Sequence, residues 1–236
     1  MGEPVLKAEK VFKTYGRGEQ AAHVLRDLSC DIGAGEFVSL MGPSGSGKST
    51  LLNILGLMDR PDAGRVSVGG RPTLGLGDAE RARLRNERLG FVFQFDSLLP
   101  EFTLLENVVM PCRIALAHGR AATALDAAEL RAHELLARFG LSAALKRFPS
   151  QVSGGERQRA ALCRALINSP AAILADEPTG NLDKANAELV FKDLQDLSQN
   201  YGVAVLMATH NEESRRFASR TIRLQGGTLA EEEKAA

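Results

Sequence analysis

The sequence is organised around one segment, Gly42-Pro43-Ser44-Gly45-Ser46-Gly47-Lys48-Ser49-Thr50, which matches the pattern G-x-x-x-x-G-K-[ST]. An apolar run from Glu36 to Met41 precedes it, and a run rich in Leu and Ile from Lys48 to Met58 follows it. These flanks predict a strand before the loop and a helix after it, the setting that a phosphate-binding loop requires. Glycines let backbone N–H groups turn towards a phosphate chain, and the positive end of the helix points at the same phosphates. The segment therefore predicts that the chain binds a nucleotide.

Two side chains of this loop have predicted roles with a nucleoside triphosphate. Lys48 would reach the β- and γ-phosphates, and the hydroxyl of Ser49 would bind Mg²⁺. The alternative is a Gly-rich turn with an incidental Lys-Ser pair, which the strand and helix flanks disfavour. A phosphate loop by itself leaves open whether the protein is a kinase, a GTPase, a motor or a transport ATPase.

The composition limits the class of protein further. The chain has 236 residues, of which 44% are hydrophobic, so it can bury the core of one domain with a subdomain. Lys+Arg and Asp+Glu both number 29, and this balance argues against nucleic acid as the main partner. Cys30, Cys112 and Cys163 are widely spaced, which fits buried thiols in a reducing compartment. With no signal-peptide pattern and no apolar run of about 18 residues, we expect a soluble, cytoplasmic protein.

Outward from the loop, apolar strands alternate with helices. This alternation implies an α/β fold with a mostly parallel sheet covered on both faces. At the N-terminal end, two strands joined by a Gly-rich turn and a later short strand predict an additional antiparallel β subdomain. The predicted strands are Val5–Val11, Val24–Ile32, Glu36–Met41, Arg65–Gly70, Leu89–Phe93, Ala171–Ala175, Val203–Ala208 and the hairpin 220–230.

The segment from about residue 95 to 157 has a different character and predicts a helical subdomain inserted into a single domain of residues 3–230. A helix after Thr103 is expected to stop at Pro111, because proline breaks helices. A second helix, Asp126–Phe139, is amphipathic, with Leu130, Leu135, Leu136 and Phe139 expected on or near one face. The charged residues 231–236 predict a disordered tail.

Polar side chains follow the predicted strands at their carboxyl ends, where folds of this class bind ligands. Asp176 can complete a magnesium site, and Glu177 is the candidate that polarises an attacking water. The amide of Gln94 can contact both the metal and that water. His210 can hold the γ-phosphate and the water in line, although a histidine there is also compatible with a purely structural role.

A second phosphate-binding surface is predicted at Ser153-Gly154-Gly155-Glu156-Arg157. Two glycines at a helix start again expose backbone donors and a positive helix end, and Ser153 adds a hydroxyl donor. A single bound triphosphate rarely requires two phosphate-binding surfaces from the same chain. The phosphate loop and the Ser153 segment are also predicted to lie on different subdomains.

Together, these features resemble the ATP-binding-cassette family over essentially the whole chain. The resemblance implies a phosphate-loop NTPase fold, ATP and Mg²⁺ as ligands, and two copies of the chain packed head to tail. Each ATP would then lie between one phosphate loop and the partner's Ser-Gly-Gly loop. The positions that match the family's motifs are Tyr15, Gly42–Thr50, Gln94, Ser153–Gln158, Ile173–Glu177, Asp183 and His210.

The resemblance also implies a role for each of these residues. Tyr15 would stack on adenine, although a packing residue at a strand end is the alternative. Catalysis is expected from Glu177, His210, Gln94 and Lys48, and magnesium binding from Ser49, Gln94 and Asp176. The nucleotide would also contact Ser153, Gly154, Gly155, Glu156 and Asp183.

Within the family, the chain is similar to a subgroup that serves lipoprotein release, macrolide export and cell division. The segment from Leu98 to Pro111 is most similar to the lipoprotein-releasing members, while Glu101 and Asn211 depart from the usual pattern. The resemblance implies an ATPase on the cytoplasmic face of the inner membrane whose transmembrane subunits dock near residues 95–110. A macrolide-type or cell-division cassette is one alternative, and a soluble cassette in DNA repair or translation is another. The latter usually carries long insertions, which this sequence lacks.

Overall fold

The computed structural model describes residues 3–95, 97–117 and 125–234. These residues form two sheets and six α-helices. In chain order, the elements are β1 (Leu6–Tyr15), β2 (Ala22–Ile32), β3 (Phe37–Met41), α1 (Lys48–Leu55), β4 (Ala63–Val68), β5 (Arg71–Pro72), α2 (Asp78–Arg88), β6 (Leu89–Phe93), α3 (Leu104–Ala117), α4 (Leu125–Arg138), α5 (Gly154–Leu166), β7 (Ala172–Asp176), α6 (Lys184–Tyr201), β8 (Ala204–Ala208), β9 (Arg220–Gln225) and β10 (Thr228–Lys234).

The central sheet has six strands in the order β10-β9-β3-β8-β7-β6. From β9 to β6 neighbouring strands are parallel, and the edge strand β10 pairs antiparallel with β9. The mostly parallel core sheet predicted from the sequence is therefore confirmed. Because β3, β8, β7 and β6 are parallel neighbours, the residues that follow them emerge at one edge of the sheet.

The two faces of this sheet carry different helices. Ile173, Ala175 and Met207 contribute to the hydrophobic core that also contains the buried residues of α3, α4, α5 and α6. Leu174 and Leu206, one position along each strand, contribute to the core that contains α1. Since successive side chains of a strand point to opposite faces, α1 and α5 pack on opposite faces of the sheet.

The second sheet has the strand order β2-β1-β4-β5, and each of its pairings is antiparallel. Its buried residues belong to the same core as α1, which confirms the predicted antiparallel β subdomain. Strand β1 continues past the predicted end at Val11, because its ladder with β2 extends to the pair Tyr15 and Ala22. Tyr15 is therefore held at the end of a paired strand, next to the helix that follows the phosphate loop.

Helix α3 does not end at Pro111, so the predicted helix end was wrong. A proline inside a helix costs about 3 kcal/mol, since it removes a hydrogen bond and clashes with the preceding turn. Here the helix is buried on both sides of the proline, with Val108 and Val109 before it and Cys112 and Ala115 after it. The packing of these buried residues outweighs the tendency of Pro111 to end the helix.

Two further predictions need correction, one for helix α4 and one for the C-terminal residues. Helix α4 buries Ala128, Ala132 and Leu136, which are four residues apart, whereas Leu130 is 63% exposed and lies off that face. At the C-terminus, the predicted disordered tail is instead part of β10 as far as Lys234, where backbone pairing with β9 continues to Arg220. Backbone pairing does not depend on side-chain charge, so an acidic sequence can extend an edge strand. Residues 235 and 236 lie outside the described residues.

No α-helix in the described ranges is both long and apolar enough to cross a lipid bilayer.

Candidate functional site

The phosphate loop joins the end of β3 to the start of α1, as the sequence predicts. Gly47 is the N-cap of α1 with φ of 107°, a left-handed conformation that disfavours other residues. A Cβ atom at Gly42 would lie 2.3 Å from the carbonyl oxygen of Leu224 on β9. The loop can therefore pass this close to the neighbouring strand only with glycine at this position.

The polar side chains of the loop are arranged to receive an anion. The ammonium group of Lys48 donates hydrogen bonds to the carbonyl oxygens of Gly42 (2.7 Å) and Pro43 (3.1 Å), which hold it across the loop. The hydroxyl of Ser46 is buried and has no hydrogen-bond partner among the described residues. An unpaired buried polar group costs about 1–3 kcal/mol. A phosphate oxygen is the kind of ligand that would satisfy both groups.

Asp176, the last residue of β7, faces the start of α1. Its carboxylate accepts a hydrogen bond from the hydroxyl of Ser49. Burial raises the pKa of Asp176, and the neighbouring charge of Glu177 raises it further against the opposing effects of Ser49 and Lys48. A hydroxyl and a crowded carboxylate beside each other are oxygen ligands that suit Mg²⁺. These residues therefore fit the predicted metal site.

Glu177 has an unusual backbone and an unsatisfied side chain. Its φ is 49°, which costs about 1–3 kcal/mol for a non-glycine residue. Its N–H donates to the carbonyl oxygen of Ala208 (2.8 Å), so the strained turn is tied to the end of β8. Its Oε1 lies 3.0 Å from Nδ1 of His210, whereas its Oε2 is buried and without a hydrogen-bond partner in the part of the chain that the structure describes. The arrangement leaves one carboxylate oxygen available to accept a proton.

Gln94 follows β6, at the same edge of the sheet. Its side chain lies against Gly180, where a Cβ atom would be 2.8 Å from Nε2 of Gln94. Its backbone carbonyl accepts a hydrogen bond from Asn181 (3.1 Å), and the preceding carbonyl of Phe93 accepts one from Gln158 of α5 (3.0 Å). Gln94 therefore contacts the loop between β7 and α6, and its strand end is tied to α5.

Tyr15 lies beside the phosphate loop at the end of β1. Its hydroxyl donates to Oδ2 of Asp59 (2.7 Å) and is also hydrogen bonded with the side chain of Thr50. Burial and the hydrogen bond to Asp59 raise the pKa of the Tyr15 hydroxyl, so the phenol stays protonated at neutral pH. The side chain is 43% exposed, which leaves ring surface available to a ligand.

The second predicted phosphate surface lies at the start of α5, on the other face of the sheet from α1. Ser153 is the N-cap: its N–H and hydroxyl both donate to Oε2 of Glu156 at 2.7 Å, and its Oγ accepts from the Glu156 N–H. These hydrogen bonds lower the pKa of Glu156. Ser153 and Gly154 remain accessible at the surface. The predicted residues of this loop are therefore together, on a helix that packs in a different core from the helix that begins at Lys48.

Asp183 is connected to this second loop through Asn186, which the sequence analysis missed. Asp183 caps α6 by accepting from the Asn186 N–H (2.9 Å), and its other oxygen accepts from the Asn186 side chain (2.8 Å). The Asn186 side chain packs on Gly155, where a Cβ atom would be 2.5 Å from its Oδ1. The three-residue spacing from Asp183 to Asn186, typical of a helix cap, is the signal that could have identified this link.

The chain is similar to known proteins over most of its length. The family profile described as "ABC transporter" matches residues 25–180. The chain is 47% identical over 226 residues to the lipoprotein-releasing system ATP-binding protein LolD of Bordetella pertussis, covering 96% of this chain and 95% of the relative. It is 48% identical to the LolD proteins of Cereibacter sphaeroides (95% and 98% covered) and of Acinetobacter baylyi (96% and 97% covered).

Solved structures give the same result for the fold. A dimeric post-hydrolysis state of the ATP-binding cassette MJ0796 bound to ADP and Pi superimposes with a TM-score of 0.87 at 40% identity, covering 98% of this chain and 99% of the other. The cbiO1 protein of Clostridium perfringens, described as part of the transporter complex cbiONQ, has a TM-score of 0.84 at 22% identity and supports the fold alone.

Proposed function

The chain belongs to the ABC transporter family, and on this basis we propose that it is the ATP-hydrolysing subunit of a complex that releases lipoproteins from the inner membrane. The observation that carries the proposal is the similarity, over nearly the full length of both chains, to the three LolD relatives described above. The chain would work on the cytoplasmic face of that membrane and drive separate transmembrane subunits.

ATP is the substrate, and the residues at the edge of the sheet would bind its phosphates, bind Mg²⁺ and activate the attacking water. The phosphate loop and Lys48 would hold the β- and γ-phosphates. Ser49 and Asp176, with Gln94 at the neighbouring strand end, would hold Mg²⁺, which when bound neutralises charge on the phosphates. Through its unpaired Oε2, Glu177 would take a proton from the attacking water while His210 holds its other oxygen.

Two copies of the chain are needed for a complete site in this proposal. The phosphate loop and the Ser153 loop belong to helices on opposite faces of the sheet, and we therefore expect that one chain does not bring both to the same triphosphate. A head-to-tail pair would place the Ser153 loop of each chain on the ATP held by the other. The solved MJ0796 cassette that resembles this chain is dimeric with ADP and Pi bound, which supports this arrangement.

A groove beside β6 is the proposed docking surface for the transmembrane subunits. It has a volume of about 470 Å³ and lies between α2, α3 and the end of α5. The predicted docking segment supplies only part of it: Leu98 and Leu104 are buried in the core, while Leu99 is 39% exposed and lines the groove. Its lining is mainly apolar, with Met58, Leu89, Phe91, Phe93, Leu99, Met110, Pro111 and Ile114.

The proposed occupant of this groove is a short cytoplasmic helix of a transmembrane subunit. An apolar groove of this kind accepts the apolar face of a helix. The groove also contains Phe93, the residue before Gln94, so movement of the β6 end on ATP binding would reach the docked helix directly.

The proposal is tested by purifying the chain with its candidate transmembrane subunits and by assaying ATP-dependent release of a lipoprotein from membranes. We expect Leu99→Asp to reduce co-purification and release while the isolated chain still hydrolyses ATP. Leu130→Asp is the matched control, because Leu130 is more exposed and lies on α4 outside the groove. Normal release by a folded Leu99→Asp variant would contradict the docking surface. No ATP-dependent release by the wild-type complex would contradict the lipoprotein assignment.

A further inference from the structure

We propose that Asp59 is a positioning residue for the nucleotide base: together with Lys13, it fixes the ring of Tyr15 so that one face of the ring is presented to adenine. The inference rests on the proposed adenine-stacking role of Tyr15 and extends it to two residues outside the motifs identified in the sequence. Asp59 lies in the turn after α1, so it would connect the adenine site to the helix that begins at the phosphate loop.

The carboxylate of Asp59 is fully engaged by three donors. Its Oδ2 accepts from the Tyr15 hydroxyl (2.7 Å), and its Oδ1 accepts from the ammonium group of Lys13 (2.8 Å) and from the Arg60 N–H (2.6 Å). Burial alone would raise the pKa of Asp59, but these hydrogen bonds together lower it. The carboxylate therefore stays charged and holds Tyr15 from one end.

Lys13 determines which face of the Tyr15 ring is available. Its side chain is only 10% exposed, and its ammonium group also donates to the carbonyl oxygen of Arg60 (2.8 Å). The ammonium nitrogen lies over the Tyr15 ring, 5.0 Å from its centroid. One face of the ring is thus covered by a fixed cation, and a base can stack on the opposite face.

The turn that carries Asp59 is itself anchored by the neighbouring helix α2. Arg81 donates to the carbonyl oxygen of Asp59 (2.6 Å), and Arg85 donates to that of Leu57 (2.9 Å). Because these two arginines hold the backbone of the turn, Asp59 is a fixed point for the tyrosine hydroxyl. A side chain in a free turn would follow the ring and would not orient it.

A purely structural tie between β1 and this turn is the competing explanation, and a double-mutant cycle separates the two. The dissociation constants of ATP and of inorganic tripolyphosphate, which lacks the base, would be measured by titration calorimetry on the isolated chain. The variants are Tyr15→Phe, Asp59→Ala and the double variant. Asp59→Asn serves as the conservative variant that keeps an acceptor for the Tyr15 hydroxyl.

We expect Tyr15→Phe and Asp59→Ala each to weaken ATP binding by about 2- to 10-fold, because both variants remove the hydrogen bond that joins these two side chains, and the loss of one such bond has an effect of this size. The double variant should bind ATP with the same affinity as the single variant that binds it less tightly. Asp59→Asn should bind ATP more tightly than Asp59→Ala does. Tripolyphosphate binding should be unchanged throughout. Asp78→Ala is the matched control, because Asp78 pairs with Arg60 of the same turn on the exposed surface, and it should leave both affinities unchanged.

Three results would overturn the inference. Equal weakening of ATP and tripolyphosphate in Asp59→Ala would show that Asp59 merely supports the loop. Additive effects in the double variant would show that Asp59 does not act through the Tyr15 hydroxyl. Unchanged ATP affinity in Tyr15→Ala would remove the adenine role of Tyr15 itself. This last result would remove the adenine role on which the inference rests, whereas the first two leave the adenine role of Tyr15 standing.

Discussion

The loop before α1 and the loop before α5 both place glycine and serine at a helix start, but their polar groups are in opposite states. Around the first loop, the Ser46 hydroxyl and Oε2 of Glu177 are buried without hydrogen-bond partners in the described chain, and Asp176 is a crowded carboxylate. At the second loop, Ser153 is satisfied by three reciprocal hydrogen bonds with Glu156. The first region is arranged for a ligand, and the second is complete in the absence of one.

This difference assigns a separate role to each loop in the proposed dimer. Unpaired buried groups favour binding because a ligand satisfies them, so the first loop can capture ATP in an isolated chain. The second loop, on the opposite face of the sheet, offers a preformed and exposed helix start that must be brought to an ATP held elsewhere.

The largest effect is expected from Glu177→Gln. If Oε2 of Glu177 accepts the proton of the attacking water, the amide should lower turnover by at least about 10²- to 10⁴-fold. ATP affinity should be kept, because the phosphate loop is intact. Steady-state phosphate release and equilibrium nucleotide binding measure the two quantities. Glu188→Gln, in an exposed pair with Lys192 on α6, is the control and should behave as wild type. Turnover near the wild-type rate in Glu177→Gln would remove Glu177 from the role of base.

An intermediate effect on binding separates the two regions in the isolated chain. Stacking of a base on an aromatic ring contributes about 1–3 kcal/mol, so Tyr15→Ala should weaken ATP binding by about 5- to 150-fold. Ser153→Arg should leave this affinity nearly unchanged, because Ser153 lies on the other face of the sheet. Titration of each variant with ATP provides the comparison. A loss of ATP affinity in monomeric Ser153→Arg would mean that both loops contact the same nucleotide in one chain.

The smallest effects are expected in the stability of the chain without nucleotide or magnesium, and they should have opposite signs. Asp176→Asn removes a charge that burial and Glu177 both disfavour, so it should raise the midpoint of thermal unfolding at neutral pH. Glu156→Ala removes the partner of the Ser153 cap and should destabilise the chain by about 0.5–2 kcal/mol. Calorimetric scans of both variants measure the shifts. Shifts of the same sign would contradict the contrast between an unsatisfied and a satisfied region.

The sequence was informative where local pattern and tertiary structure agree. Strand β6 has the predicted bounds, and the residues after β3, β6, β7 and β8 meet at one edge because parallel strands share that edge. The helix end predicted at Pro111 was wrong because the effect of a proline is local, whereas the burial that keeps α3 intact comes from its packing against α4 and α5. The same holds for Leu98 and Leu104, which the pattern could not distinguish from exposed docking residues.

Residues that act through other residues were the least predictable. Asp59 and Asn186 carry no motif of their own, and their importance follows from contacts with Tyr15 and Gly155, each of which lies more than 30 positions away in the chain. The acidic C-terminal residues joined β10 for a similar reason, since the pairing depends on the backbone of β9. Composition and periodicity indicate the secondary structure that a segment prefers, but they do not indicate which other residues it contacts in the folded chain.

The central claim, that each ATP is completed by the Ser153 loop of the other chain, is tested most directly by comparing two arrangements of the same two mutations. One heterodimer combines a Lys48→Ala chain with a Ser153→Arg chain, and the other combines a wild-type chain with a Lys48→Ala/Ser153→Arg chain. Both are isolated through two different affinity tags, and their ATP hydrolysis is measured. If the loops act across the dimer, the first heterodimer retains one intact site and partial turnover, whereas the second retains none. The reverse result, with turnover only in the heterodimer that contains the wild-type chain, would contradict the account.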